Sequence, residues 1–369
     1  MIEYLEIRDT SRARVGILDT AKSIIWNIEY YGTGDFEIYA PFTEKNRDLL
    51  QEDFYITREN DRNVGIIDRV QIEYNAIDGR MITASGKFAK SLLSRRIIYN
   101  LAGKSITPVI SSGNVEAAAR ALVSMCMISA ADTARNVSFM ELGALAGLPA
   151  VLKGQKQTSY SNLLEYTDEI LHEYEYGAYI GIDRETMQLQ YNVFAGSDRS
   201  KYNTAGNKPL VFSQDFDNLT ASDYVRDANA YKNTALIGGA GEGVERYMEF
   251  VTDGSTGLQR REVFIDASGQ SRTYKDGETD KTYTDTEYSE MLFSKAAQDM
   301  AEMIIAEGIT GGIDLTNSAL QLGRDFYAGD IVTVQDNTLN RYANARIIKV
   351  TEVQDDGGYT INIEFGGAA

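Results

Sequence analysis

The sequence is short of the residues that most cross-links and many reactions require. It has one cysteine, one histidine and one tryptophan in 369 residues. A single cysteine excludes an intramolecular disulfide and a zinc site built from thiolates. A single histidine leaves little else to hold a transition metal. Cys126 lies in a run of Ala, Met and Leu at 115–128, where a buried, inert thiol is expected rather than a nucleophile. His172 stands mid-helix near Glu169 and Glu173, which reads as a half-exposed helical residue before a general base.

An excess of positive charge is also missing. Lys and Arg number 36 against 54 Asp and Glu, a net charge of −18. This argues against a duplex-binding protein, which needs basic patches to displace counterions. Long hydrophobic runs are absent as well. The most apolar stretch, Ala130 to Leu152, is broken by Asp132, Arg135 and Glu141. Its uninterrupted apolar core of about ten residues is half a bilayer span, so no stable membrane insertion is expected. The N-terminus, MIEYLEIRDTSRARV, alternates as a strand and has no basic segment leading into an apolar core, so no signal peptide is expected there.

What is present is ordinary for a folded protein: 43% hydrophobic and 24% charged residues. The length allows more than one core. Short β-prone runs at 15–18, 23–30, 36–40, 54–58, 64–74 and 80–85 are broken by Gly, Asn, Asp and Pro, the spacing of a small sandwich or barrel. A helix is expected at 87–93. Asn114 is placed to cap a second over 115–128, and Ser161 a third over 162–176, with Gly177 at its C′ position. Strands follow at 179–183, 187–194, 210–213, 234–237, 246–252 and 262–265. A polar loop at 268–285 then leads to a long helix at 286–307. The chain closes with strands at 330–334, 345–353 and 359–365, the last two joined by the hairpin signal Asp356-Gly357-Gly358. The fold class is α+β and β-rich. β-Rich halves flanking α+β material suggest two small barrels in tandem, each with an insertion.

No catalytic, cofactor or metal residues are selected. Carboxylate pairs are abundant in so acidic a chain, and nothing singles one out as a glycosidase pair. Gly239-Ala-Gly241-Glu-Gly243 fails the dinucleotide fingerprint because Val244 stands where the last glycine belongs. Asp215-Phe-Asp217-Asn218 lacks the glycine and distal glutamate of a calcium loop and reads as a turn, as does Asp355-Asp356-Gly357. The 23 tyrosines are read first as packing, then as interface, then as sugar-stacking surface. Leu142 to Leu152, with Gly143, Gly147 and Pro149, would be flexible if exposed. It is too apolar to stand free in water and too irregular for a long helix. Leu145 and Leu148 are therefore candidate contacts with a neighbouring subunit or another protein.

The stretch Tyr231 to Ala267 is the most informative. A β-prone run enters a glycine cluster at Gly238, Gly239, Gly241 and Gly243, and an alternating strand follows, then GLQRREVFIDA. ALIGGAGEG, that strand and GLQRREVFIDA resemble the tail-hub (tail-tip or baseplate hub) proteins of long-tailed, siphovirus-type bacteriophages. The order continues at both ends: TGDFEIYAP, DFYITREN, GIIDRVQIEY and MITASGKFAKSLLSRRII near the N-terminus, FYAGDIVTVQD and ARIIKVTEVQDDGGYTINIEFG near the C-terminus. The departure lies between Ala130 and Gln157, where an apolar stretch replaces a more polar linker.

The resemblance implies a first β-barrel over 1–100, an α+β domain over 101–195, a second barrel from 196–267 with 320–369, and a helical insertion over 268–319. It implies a structural, non-enzymatic virion protein at the tail tip, made in the host cytoplasm. As a homotrimeric ring it would close the distal tail tube and adapt a six-fold tube to a three-fold tip. Its partners would be further copies of itself, a tube or distal tail protein above, a tape-measure protein in the lumen, and a spike, fibre or receptor-binding protein below. DNA would transit an acidic lumen without specific binding, although plain solubility also accounts for the charge. The four glycines would shape a turn of the second barrel, and Arg260, Arg261 and Glu262 would form intersubunit or interdomain ion pairs. Two alternatives are the hub-like N-terminal part of a tail-associated lysin and a carbohydrate-binding tail adhesin. Against the first, the chain ends four residues after Phe365, at the presumed last strand.

Overall fold

Alternation of apolar and polar residues builds the main sheet. The computed structural model describes residues 4–77, 79–102, 105–216, 218–219, 221–276, 279–301, 303–313, 320–337 and 341–367. Strand β1 is Leu5–Arg8, β2 Arg14–Leu18, β3 Ser23–Glu29, β4 Asp35–Pro41, β5 Tyr55–Thr57, β6 Gly65–Asn75 and β7 Gly79–Phe88. Every second residue of β3 and β4 is buried: Ile24, Trp26 and Ile28, then Phe36, Ile38 and Ala40. That period of two puts one face of each strand into the core. A short helix α1, Glu44–Leu49, follows β4, its first turn capped by the Thr43 hydroxyl.

The sheet runs β3–β4–β7–β6–β5–β1–β2, antiparallel throughout. The other edge of β3 pairs with the C-terminal strand Arg341–Asp355, from Lys349 opposite Glu29 to Gln354 opposite Ile24. That strand forms a hairpin with Gly358–Gly367, closed at Asp355 opposite Gly358 as the Asp-Gly-Gly signal predicts. It also pairs with Ile331–Asp336, which in turn lies parallel to Val211–Ser213. Both halves share one core, in which Trp26, Phe36 and Phe88 form one aromatic cluster and Phe212, Phe326 and Phe365 another. The two separate barrels expected from sequence are thus corrected to one continuous sheet, and no closed barrel is found among the described residues. The reason is local. A first half folded alone would leave one edge of β3 with unpaired N–H and C=O groups, and the C-terminal strand supplies them.

A second core lies between helices and a small sheet. Helix α2, Val115–Val123, is capped by Asn114, whose side chain accepts from the Ala117 N–H. It runs on as a π turn, Ser124–Ile128, around buried Cys126. Helix α3, Leu163–Glu173, is capped by Asn162 and not by the expected Ser161. Both helices pack with strands Met140–Leu142, Gly177–Ile182 and Leu189–Phe194. The helix expected at 87–93 is a 3-10 segment, Ala89–Arg95, because β7 extends to Phe88.

The chain divides into two compact units, Met1–Asp223 with Ile309–Ala369, and Tyr224–Gly308. In the smaller one, Thr234–Gly238 is the centre of a three-stranded sheet. It pairs antiparallel with Met248–Thr252 and parallel with Glu262–Asp266. Helix α4, Asp285–Met300, covers Ala235, Ile237 and Ile265 with Tyr288, Leu292 and Ala296. The glycine-rich strands therefore belong with this helix and not with the C-terminal strands, because their apolar face needs a cover that α4 provides. The helix stops at Met300, and residues expected to extend it instead begin a strand, Ala306–Ile313. The polar stretch before it holds a small ribbon, Thr273–Asp276 with Thr279–Thr282. Residues 314–319 of the expected insertion, and Asp217 of the expected turn, lie outside the described residues.

Candidate functional site

The larger unit is tied together by two buried polar clusters. In the first, the Arg58 guanidinium bonds Asp61 Oδ2 at 2.8 Å and also Glu352. Trp26 Nε1 donates to the same Asp61 oxygen at 2.7 Å, and the Tyr359 hydroxyl donates to Glu352. Burial alone would push the Arg58 pKa down, but the two carboxylates together outweigh it and hold it above its usual value. Burial, helped by Glu352, pushes the Tyr359 phenol up. Residues 294 positions apart thus meet across the β3 seam.

The second cluster centres on Tyr30, which is fully buried. Its hydroxyl donates to the Glu175 carbonyl at 2.7 Å and accepts from the Gly196 N–H at 3.2 Å. Arg346 lies 5.4 Å from the ring centroid, donates to the Gly329 carbonyl at 2.8 Å and pairs with the Glu175 carboxylate at 2.5 Å. Glu175 is at φ +56°, the left-handed position that ends α3. The Tyr176 N–H bonds the Leu171 carbonyl and the Glu175 N–H bonds that of His172, the pattern usually closed by glycine. Gly177 does not take that role; it begins the next strand, where a Cβ would stand 2.6 Å from the Tyr30 ring. The strained glutamate is held by what its two ends reach.

The apolar loop is strapped to α2. Glu116 accepts from the Ala146 and Leu148 N–H groups at 2.8 and 3.1 Å. Arg120 donates to the Gly143 carbonyl at 2.6 Å, and Asn114 to that of Leu148 at 2.7 Å. Glu116 and Arg120 are buried, so these bonds fix the loop in a dry setting. Leu148 packs partly on the second core, whereas Leu145 remains 70% exposed. A loop that could have been mobile instead presents one leucine from a fixed backbone. Earlier in the same stretch, Met140–Leu142 is a strand parallel to Leu189–Phe194.

This geometry belongs to the larger unit, whereas the sequence relationship runs through both. The profile described as Siphovirus ReqiPepy6 Gp37-like protein matches residues 4–367. The chain belongs to that family. Among solved structures, a tail protein from Neisseria meningitidis MC58 is similar at TM-score 0.60 and 12% identity, covering 98% of this chain and 96% of its own. The 43 kDa tail protein of prophage MuSo2 from Shewanella oneidensis matches at 0.58 and 12% identity, with 98% of both chains covered. Prophage tail protein gp18 from Listeria monocytogenes EGD-e matches at 0.51 and 12% identity, covering 99% of this chain and 94% of its own. Comparison with the curated proteins gives no match. A member of this siphovirus family therefore has the β-rich α+β fold of phage tail proteins, as the resemblance implied.

Within that fold the four glycines have separate reasons. Gly241 and Gly243 take φ +101° and +55°. Gly238 lies under the Arg246 guanidinium and Gly239 against Tyr288, where a Cβ would come within 2.6 and 2.7 Å. Arg260 pairs with Glu262 in the same strand region at 2.6 Å, and Arg261 donates to the Ala228 carbonyl at 2.5 Å. All lie in the smaller unit. Glu262 is exposed, so Arg260→Ala is expected to cost under about 1 kcal/mol in urea unfolding. His172 is exposed and its ring centroid lies 4.1 Å from that of Tyr31, whose phenol burial pushes up to about 12. Burial raises the Cys126 thiol. Among the described residues no three of His, Cys, Asp and Glu converge to hold a metal, and no helix is long and apolar enough to cross a membrane. Sequence reasoning missed the clusters at Arg58 and Tyr30 altogether.

Proposed function

We propose that this chain is a structural tail hub, a homotrimeric ring that closes the distal end of the tail tube. One observation carries the reading: the tail-protein fold extends over 98% of the chain and 96% of a solved tail protein of similar extent. In each copy the N-terminal and C-terminal groups of strands, two lobes of the one sheet that β3 joins over a shared core, take the place of two separate barrels. Three copies then offer six lobes to a six-fold tube and three-fold geometry to the tip. A closed ring also covers sheet edges that would otherwise invite aggregation. The tube or distal tail protein lies above, the tape-measure protein in the lumen, and a spike, fibre or receptor-binding protein below. The part is architectural and we assign it no reaction. Reconstruction of the intact particle by cryo-EM is the test. A coaxial ring near three times 40.9 kDa supports the hub, whereas single copies off the axis overturn it.

In the ring, the strapped loop meets a neighbouring subunit or another tip protein through Leu145. Leu145→Asp should leave the melting temperature of the isolated chain unchanged, because that side chain is mostly exposed. It should also reduce particle assembly at least tenfold, since a buried unpaired carboxylate is costly. Assembly at the wild-type level would show that the loop has no partner.

A further inference from the structure

The outer half of β6 carries a surface that neither the cores nor the strapped loop uses. β5 pairs with β6 only at Tyr55 opposite Ile66 and Ile56 opposite Gly65, and the main-chain bonds on that side end at Ile67. A bulge at Asp68 follows, where the register against β7 shifts between Ile67 and Arg69. From Arg69 to Tyr74 the strand pairs with β7 on one side and, among the described residues, with no strand on the other.

Beyond the bulge, one face of this edge is apolar. Val70 and Ile72 lie opposite Ala84 and Ile82, both fully buried, so the apolar layer of the main core runs out to the open edge. Ile72 is 48% exposed and Tyr74 72%. An open edge with apolar alternation is the kind of surface that proteins normally cover.

The charges choose the occupant. Asp68-Arg69-Val70-Gln71-Ile72-Glu73-Tyr74 is self-complementary when two copies run antiparallel about Gln71. Arg69 then faces Glu73 of the second copy, twice, and Val70 faces Ile72, twice. Opposite charges directly across a strand pair stabilise it, and like charges oppose it. Within one chain Arg69 donates only to Gln71, and Glu73 meets no cation among the described residues. We propose that two copies of this chain pair antiparallel across their β6 edges, about a two-fold axis at Gln71. The contact is isologous, so it is distinct from the head-to-tail contacts of a three-fold ring and does not rest on the hub reading.

The test is the mass of the full chain in solution, by light scattering over a concentration series, with variants at exposed positions. The wild type should approach twice 40.9 kDa. Arg69→Glu and Glu73→Arg should each weaken the dimer about tenfold or more, because each sets like charges opposite one another twice. The double variant exchanges the charges and should restore it, which a general loss of folding could not do. Gln71→Cys should give a covalent dimer under oxidation. Residues directly opposite lie about 4.5–5.5 Å apart between Cα atoms, within disulfide reach, and the native Cys126 is buried. A wild type that stays monomeric, single reversals that leave the mass unchanged, or a double reversal that fails to restore it overturns the pairing. A trimer without the Gln71→Cys cross-link overturns it too, and leaves the hub reading standing.

Discussion

Arg58→Ala is expected to destabilise the main core by about 3–5 kcal/mol, the cost of leaving a buried ion cluster without its cation. Arg58 stands between Asp61 and Glu352, and all three side chains are almost wholly buried. Without the guanidinium, two carboxylates face each other in a dry site. Trp26 and Tyr359 still donate to them, but neither neutralises a charge. The loss falls on the seam, since Arg58 follows β5 while Glu352 lies on the strand that pairs with β3. Trp26 is the only tryptophan and belongs to the same cluster, so its fluorescence in urea reports this core directly. Arg260→Ala, at an exposed pair, is the internal control. A deficit for Arg58→Ala no larger than that of the control would mean that the cluster does not hold the halves together.

The contrast between those two arginines marks what the sequence could reveal. Alternation in SIIWNIE and DFEIYAP predicted β3 and β4, because one buried face is enough to impose a period of two. Asn114 was legible as a cap, because a cap depends on its own next three residues. Ser161 missed by one position, and Gly177 by two, because the left-handed site at the end of α3 went to Glu175. Its carboxylate has a partner in Arg346, 171 residues away. The seam was illegible for the same reason: the alternation of β3 shows which face is buried but not which strand covers its second edge. Glu116 and Arg120 carried a misleading signal. An acid and a base four apart on a helix usually form an exposed pair, whereas here each turns to the loop backbone. The family resemblance supplied the order of elements, but the division of the chain followed packing: the glycine-rich strands went to α4, whose apolar residues cover their apolar face.

Gly329→Ala is expected to be as damaging as loss of the Arg58 cluster, for two independent reasons. Gly329 has φ +104°, a conformation that side chains rarely adopt, and forcing it costs about 1–3 kcal/mol. The new Cβ would also stand 2.4 Å from the Tyr30 ring, and overpacking of that kind costs about 1–3 kcal/mol more. The ring has little room to retreat. Gly177 packs so closely against it that a Cβ there would stand 2.6 Å from the ring, and the Tyr30 hydroxyl is fixed by the Glu175 carbonyl and the Gly196 N–H. Tyr30→Leu separates the two costs. It removes the steric conflict and leaves the backbone strain, so the double variant should recover the overpacking part and remain below Tyr30→Leu alone by the strain part. A coupling of about 1–3 kcal/mol in that cycle is the expected reading. Strict additivity would show that the ring yields freely, and that Tyr30 is packed in the joint without holding it.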